Sequence, residues 1–160
     1  MEKSDLEKLK EEYEKLREKH ALPSFKEMNE DFEIEKLQER ETEMLAKEIR
    51  RGMMEKNVAY LRFVEMFMNP QTAPMFFLAL IKNMNHVDRK LLEEIYSKLG
   101  KFEIQSLQLD NEYNEKKEAE FIKKFFNEWQ AIKEKFGSVL KILEDSWDKK
   151  QDRKEKGYLG

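Results

Sequence analysis

Leu6, Leu9, Tyr13 and Leu16 stand three, four and three residues apart, and every position between them is charged. Such spacing puts the four side chains on one narrow stripe of an α-helix, the kind that serves a single neighbouring helix. The pattern returns along most of the chain, at Ile34, Leu45, Ile49 and Met53, at Leu91, Leu92, Ile95 and Leu99, and at Ile122, Phe125, Phe126 and Trp129. Gly (5) and Pro (3) are too few to supply the turns of a many-stranded fold. Charged residues make up 41% of the chain while the net charge is only −3, as expected of solvated helix faces with interleaved signs. The reading is an all-α chain: an antiparallel helical bundle with one or two long, coiled-coil-like helices.

The chain has 160 residues, the size of one domain, and a single domain is expected over 1–147. Ser4 and Glu7 have the form of a capping box, which starts an amphipathic helix over 4–20. Pro23 ends it, because a proline disfavours helical geometry in the residue before it. Ser24 and Glu27 repeat the box over a short turn. Asp31 is placed as the cap of a long helix over 32–68, apolar nearly all round in its second half, where Met54, Val58 and Leu61 add a second face. Asn69-Pro70 breaks that helix. A short apolar helix is expected over 74–84, with Thr72 as its cap, and a further helix over 88–109, capped by Asn85 or Asp88. Residues 110–114 read as a turn, 115–147 as a second long helix, and 148–160 as a charged, flexible tail.

The apolar run PMFFLALI, residues 74–81, is far shorter than the roughly 20 residues that span a bilayer, so no membrane segment is expected. It plugs a core on the plainest reading, since apolar side chains at helical spacing are core more often than site. The sharper reading notes the methionines gathered near it: Met44, Met53, Met54, Met66, Met68, Met75 and Met84. Met is flexible and polarizable, and is over-used on surfaces that take varied apolar partners. Met66, Met68, Met75, Phe76 and Phe77 are therefore the candidate partner-binding residues, with Leu6, Leu9, Tyr13 and Leu16 as a second contact. The partner is another protein or a second copy of this chain.

Other chemistries rank lower. With no Cys there is no disulfide, thiolate catalysis or Cys-based zinc site. His20 and His86 are far apart and neither follows a Glu at di-iron spacing, so no metal or cofactor is expected. His20 reads as a helix-end cation and His86 as part of a capping turn. Glu41, Glu48 and Glu65 are the carboxylates that could serve catalysis, and Glu65 stands in the apolar stretch FVEMFM, but Arg62 can pair with it, and the nucleophile-elbow, P-loop and dinucleotide signatures are all missing. An enzyme or small-ligand binder, with a pocket near Glu65 and His86, is the third reading. The second is a nucleic-acid-associated protein using Lys47, Arg50 and Arg51 with the basic tail Lys149, Lys150, Arg153, Lys154 and Lys156, although Glu48, Asp148, Asp152 and Glu155 intersperse these charges. The first is a non-enzymatic adaptor or assembly subunit. The opening residues carry no apolar leader, so a cytoplasmic setting is expected.

Overall fold

Both serine capping boxes form. The computed structural model describes the backbone of residues 2–159 and the side chains of 2–154 and 157. Helix α1, Asp5–His20, opens with the Ser4 hydroxyl accepting from the Glu7 N–H and the Glu7 carboxylate accepting from the Ser4 N–H. Two of the four orphan donors at that helix end are thereby satisfied. Ala21 closes α1 in the left-handed conformation (φ 55°). Helix α2, Phe25–Phe32, repeats the device with Ser24 and Glu27, and Glu33 closes it with φ 52°.

The long helix expected over 32–68 is therefore interrupted. Asp31 does not cap it but lies inside α2, buried. Ile34 and Leu37, three residues apart, fit the threefold period of a 3-10 helix over Ile34–Glu39, and both are buried. Gln38 to Glu43 offer nothing apolar to bury, so no packing force holds that stretch helical. Helix α3 begins only at Leu45 and runs to Met68.

Pro70–Thr72 form a second 3-10 turn, and Thr72 does not cap the short helix. Helix α4 is Met75–Ile81, with Pro74 at its N-cap position. Asn85 then accepts from the Asp88 N–H at 2.8 Å, and helix α5 runs His86–Asp110. Asn114 caps helix α6 by accepting from the Lys117 N–H. Helix α6 extends over Glu115–Leu159, so the expected tail from 148 continues the helix instead. Its Lys, Gln and Arg residues are good helix formers and no proline interrupts them. Among the described residues there is no strand, and the fold is all-α.

The chain divides into two compact units, residues 2–59 with 101–129, and 60–100 with 130–159. Where the sequence reading drew one domain over 1–147, the helices α3, α5 and α6 each contribute a segment to both units. In the first unit α3 and α5 run antiparallel: Arg50 meets Ser106 and Asp110, and Asn57, two turns further on, meets the earlier Glu103. Its core joins Leu9, Tyr13 and Leu16 of α1 to Met28, Phe32, Ile49, Met53, Phe102, Ile122, Phe125 and Trp129. Phe125 is the hub, within 6.0 Å of the rings of Phe32, Phe102, Phe121 and Trp129. Each such ring pair adds about 0.5–1.5 kcal/mol beyond area burial. The second unit buries Val64, Phe67, Leu80, Met84, Leu92, Ile95, Leu99, Ile132, Phe136, Val139 and Leu143.

Candidate functional site

The second unit leaves apolar surface uncovered on helix α4, as it does at Val87, Leu140 and Ile142. Phe77 points inward and sits edge-on to Phe63 and Phe67 of α3, with ring centroids 5.6 and 5.5 Å away. Phe63 in turn contacts Phe136, on which Tyr60 stacks at 4.1 Å. Of the seven residues of α4 only Leu80 is fully buried. Met75 keeps 86% of its surface exposed, Phe76 50% and Met68 42%, while Met66 and Phe77 are half-buried. Phe76 lies across Trp147 of α6 at 5.0 Å, so an indole flanks the exposed methionine and phenylalanine. The expectation that this helix plugs a core thus holds for Leu80 and not for Met75 or Phe76. A helix of seven residues has room for only one inward stripe.

The second contact expected along α1 is spent within the chain. Leu9, Tyr13 and Leu16 are buried in the first unit and only Leu6 keeps partial exposure. Tyr13 is enclosed, donates its hydroxyl to the Pro23 carbonyl at 2.6 Å, and packs edge-on to Phe25. Burial pushes its phenol well above the ordinary tyrosine value. The stripe was read for its partner-helix spacing, and the partner is this chain.

Arg50 also differs from its expected place on a basic surface. It is 1% exposed and its guanidinium is fully engaged. Nε and Nη2 donate to the two oxygens of buried Glu118, Nη1 donates to the Ser106 carbonyl and hydroxyl, and Nη2 also donates to Asp110 at 2.6 Å. Burial alone would lower the Arg50 pKa, but the hydrogen bonds to Glu118 and Asp110 outweigh it and raise the pKa. The Arg50 hydrogen bond holds Asp110 below the usual carboxylate range. Arg51 stays at the surface but faces Glu48 at 3.7 Å and Asp110 at 3.9 Å, and Lys47 is half-buried. Removing Arg50 from the surface takes away the centre of the expected phosphate-binding cluster. Of the tail cations, Lys149, Lys150, Arg153 and Lys154 are described and Lys156 lies outside the described residues.

The residues named for chemistry are dispersed. Glu65 is exposed and accepts from the Tyr96 hydroxyl at 3.4 Å. His86 opens α5, exposed. His20 Nε2 lies 3.0 Å from Glu115, whose carboxyl is held low by hydrogen bonds from Lys19 first and His20 second. Among the described residues no group of three His, Asp or Glu has metal-holding geometry. Among the described residues no helix is long and apolar enough to cross a membrane.

Three of the clefts on the described surface border the residues discussed above. One of about 510 Å³ in the first unit has an apolar floor of Leu9, Leu16 and Leu37 and a rim of mixed charge. One of about 260 Å³ in the second unit lies beneath Phe67, Met68, Ile81 and Met84. The third, about 640 Å³ and also in the second unit, is lined by α4, the start of α5 and α6, and carries Lys82, Lys149, Lys150 and Arg153. Sequence reasoning missed the third because Lys82 is remote from the tail in sequence. It missed Arg50–Glu118 although both lie on buried helical stripes, Ala46–Arg50–Met53–Asn57 and Glu118–Ile122–Phe125–Trp129. Compared with known proteins, the chain matches no family model, no curated protein and no solved structure at a significant level.

Proposed function

We propose that this chain is a non-enzymatic interaction module, an adaptor or assembly subunit, that engages another protein through the apolar surface of α4. The observation that carries the reading is the exposure of Met75 and Phe76 on a helix that fully buries only Leu80. Apolar side chains that could have been buried but stand together at the surface mark interaction sites. Met75 and Met68 supply adaptable contacts, and Phe76 with Trp147 supplies the large aromatic area that dominates interface energies.

The test compares the native chain with Met75→Ser/Phe76→Ser. Affinity capture and sedimentation velocity are run on both. A stoichiometric protein partner, or a dimer, that the native chain holds and the double variant loses supports the reading. A variant that retains the same partners and the same sedimentation at an unchanged melting temperature sinks it.

A further inference from the structure

We propose that the groove beside Phe76 and Trp147 receives the acidic side of an amphipathic helix from a partner protein, whose apolar side covers Met75 and Phe76. This deepens the interaction reading above and rests on it.

The surface is continuous. Phe76 and Trp147 are in ring contact, Ala79 follows Phe76 by one turn of α4, and Ser146 and Lys150 flank Trp147 on α6. Ala79, Ser146 and Lys150 line the groove of about 640 Å³. Four cations share that groove: Lys82, Lys149, Lys150 and Arg153. Two carboxylates also line it, and neither lies within ion-pair distance of the four cations. Asp145 is taken by Lys141 at 3.2 Å, and Asp88 is buried in the first turn of α5. Asp148 and Asp152 alternate with the cations along α6 but do not line the groove. Among the described residues none of the four cations has a carboxylate within ion-pair distance.

Three like charges on the α6 wall and a fourth, Lys82, at the end of α4 repel across the groove, and a ligand bearing carboxylates relieves that repulsion. The α6 wall runs from Ile142 to Arg153, about 16 Å at 1.5 Å per residue, so the matching element is a helix of about three turns. Exposed ion pairs contribute little each. The apolar anchors therefore supply affinity, and the cations select partner sign and orientation and speed encounter.

The experiment uses the full chain and two fluorescein-labelled amphipathic helical peptides of three to four turns. They share Leu and Phe positions and differ only in carrying Glu or Lys on the polar face. Anisotropy is read at low and physiological salt. The acidic peptide is expected to bind at least about tenfold tighter than its basic twin, with the margin shrinking as salt rises. Lys82→Glu/Lys150→Glu/Arg153→Glu, checked by circular dichroism for unchanged helicity, is expected to remove that preference. An acidic peptide that binds no better than the basic one, both undetectable included, overturns the proposal. So does tighter binding to anionic phosphatidylglycerol vesicles or to a polyuridine RNA than to the acidic peptide. The two readings separate cleanly: if Met75→Ser/Phe76→Ser loses a natural partner but charge reversal does not, the charge proposal fails and the interaction reading stands.

Discussion

Arg50 and Glu118, 68 residues apart in the chain, meet through a 2.5 Å charge-assisted hydrogen bond with both side chains sealed from solvent. A second bond of 3.2 Å makes the pair bidentate, and Ser106 and Asp110 take the remaining guanidinium hydrogens. Withdrawing two ions from water costs several kcal/mol each, and only complete pairing offsets it. The pair thus adds little net stability but penalises any arrangement of α3, α5 and α6 that separates it.

Breaking one side of the pair should therefore be severe. Arg50→Ala leaves Glu118 buried without a counter-ion and is expected to cost about 3–5 kcal/mol. Arg50→Met combined with Glu118→Leu removes both charges and is expected to recover most of that loss. Urea denaturation followed by circular dichroism measures both, and a mild single variant or a collapsed double variant contradicts the account.

Acid should loosen the first unit. Asp110 has a folded pKa depressed by Arg50, and Glu115 by Lys19 and His20. A carboxyl whose folded pKa lies below its unfolded value stabilises above the unfolded value, about 4, and loses that contribution as pH falls through the folded one. Melting temperature is expected to hold down to about pH 5 and drop below pH 4. Asp110→Asn should flatten part of that drop; an acid limb identical in the variant removes Asp110 from the explanation.

Tyr13→Phe keeps the ring packing against Phe25 and deletes the hydroxyl that bonds Pro23. The expected cost is about 1 kcal/mol, the worth of a typical hydrogen bond plus a partly unsatisfied carbonyl. In the native chain the raised phenol pKa means that stability is complete below about pH 10 and declines as pH rises beyond it. Chemical denaturation of variant and native chain at neutral and alkaline pH checks both, and a variant that retains the native alkaline decline shows that Tyr13 is not its source.

The two tryptophans should report different environments. Trp129 is enclosed and Trp147 is half-buried against Phe76. Acrylamide is expected to quench Trp147 and leave Trp129 largely untouched. Phe76→Ala should red-shift only the Trp147 emission, resolved in Trp129→Phe and Trp147→Phe backgrounds. Equal quenching of the two would contradict this packing.

Much of the fold was legible because helices announce themselves locally. The boxes at Ser4 and Ser24, the break at Asn69-Pro70 and the turn before Glu115 all depend on residues a few positions apart. The interruption at Glu33 was harder to read, since Ile34 and Leu37 suit an α-helix and a 3-10 turn alike. The polar stretch to Glu43 offered the clue, six residues with nothing to bury. The Met and Phe cluster near residue 75 was also visible, but not which members face out.

The sequence by itself determined the helical class, most helix ends and the apolar stripes, because capping, periodicity and proline act within one or two turns. Only the tertiary structure decided where each stripe is spent. It enclosed Leu9, Tyr13 and Leu16, took Arg50 from the surface into Glu118, and brought Lys82 beside Lys149, Lys150 and Arg153. A stripe states that a face wants cover and a charge that it wants a partner. Which partner is supplied depends on contacts between residues tens of positions apart, and no local spacing encodes those.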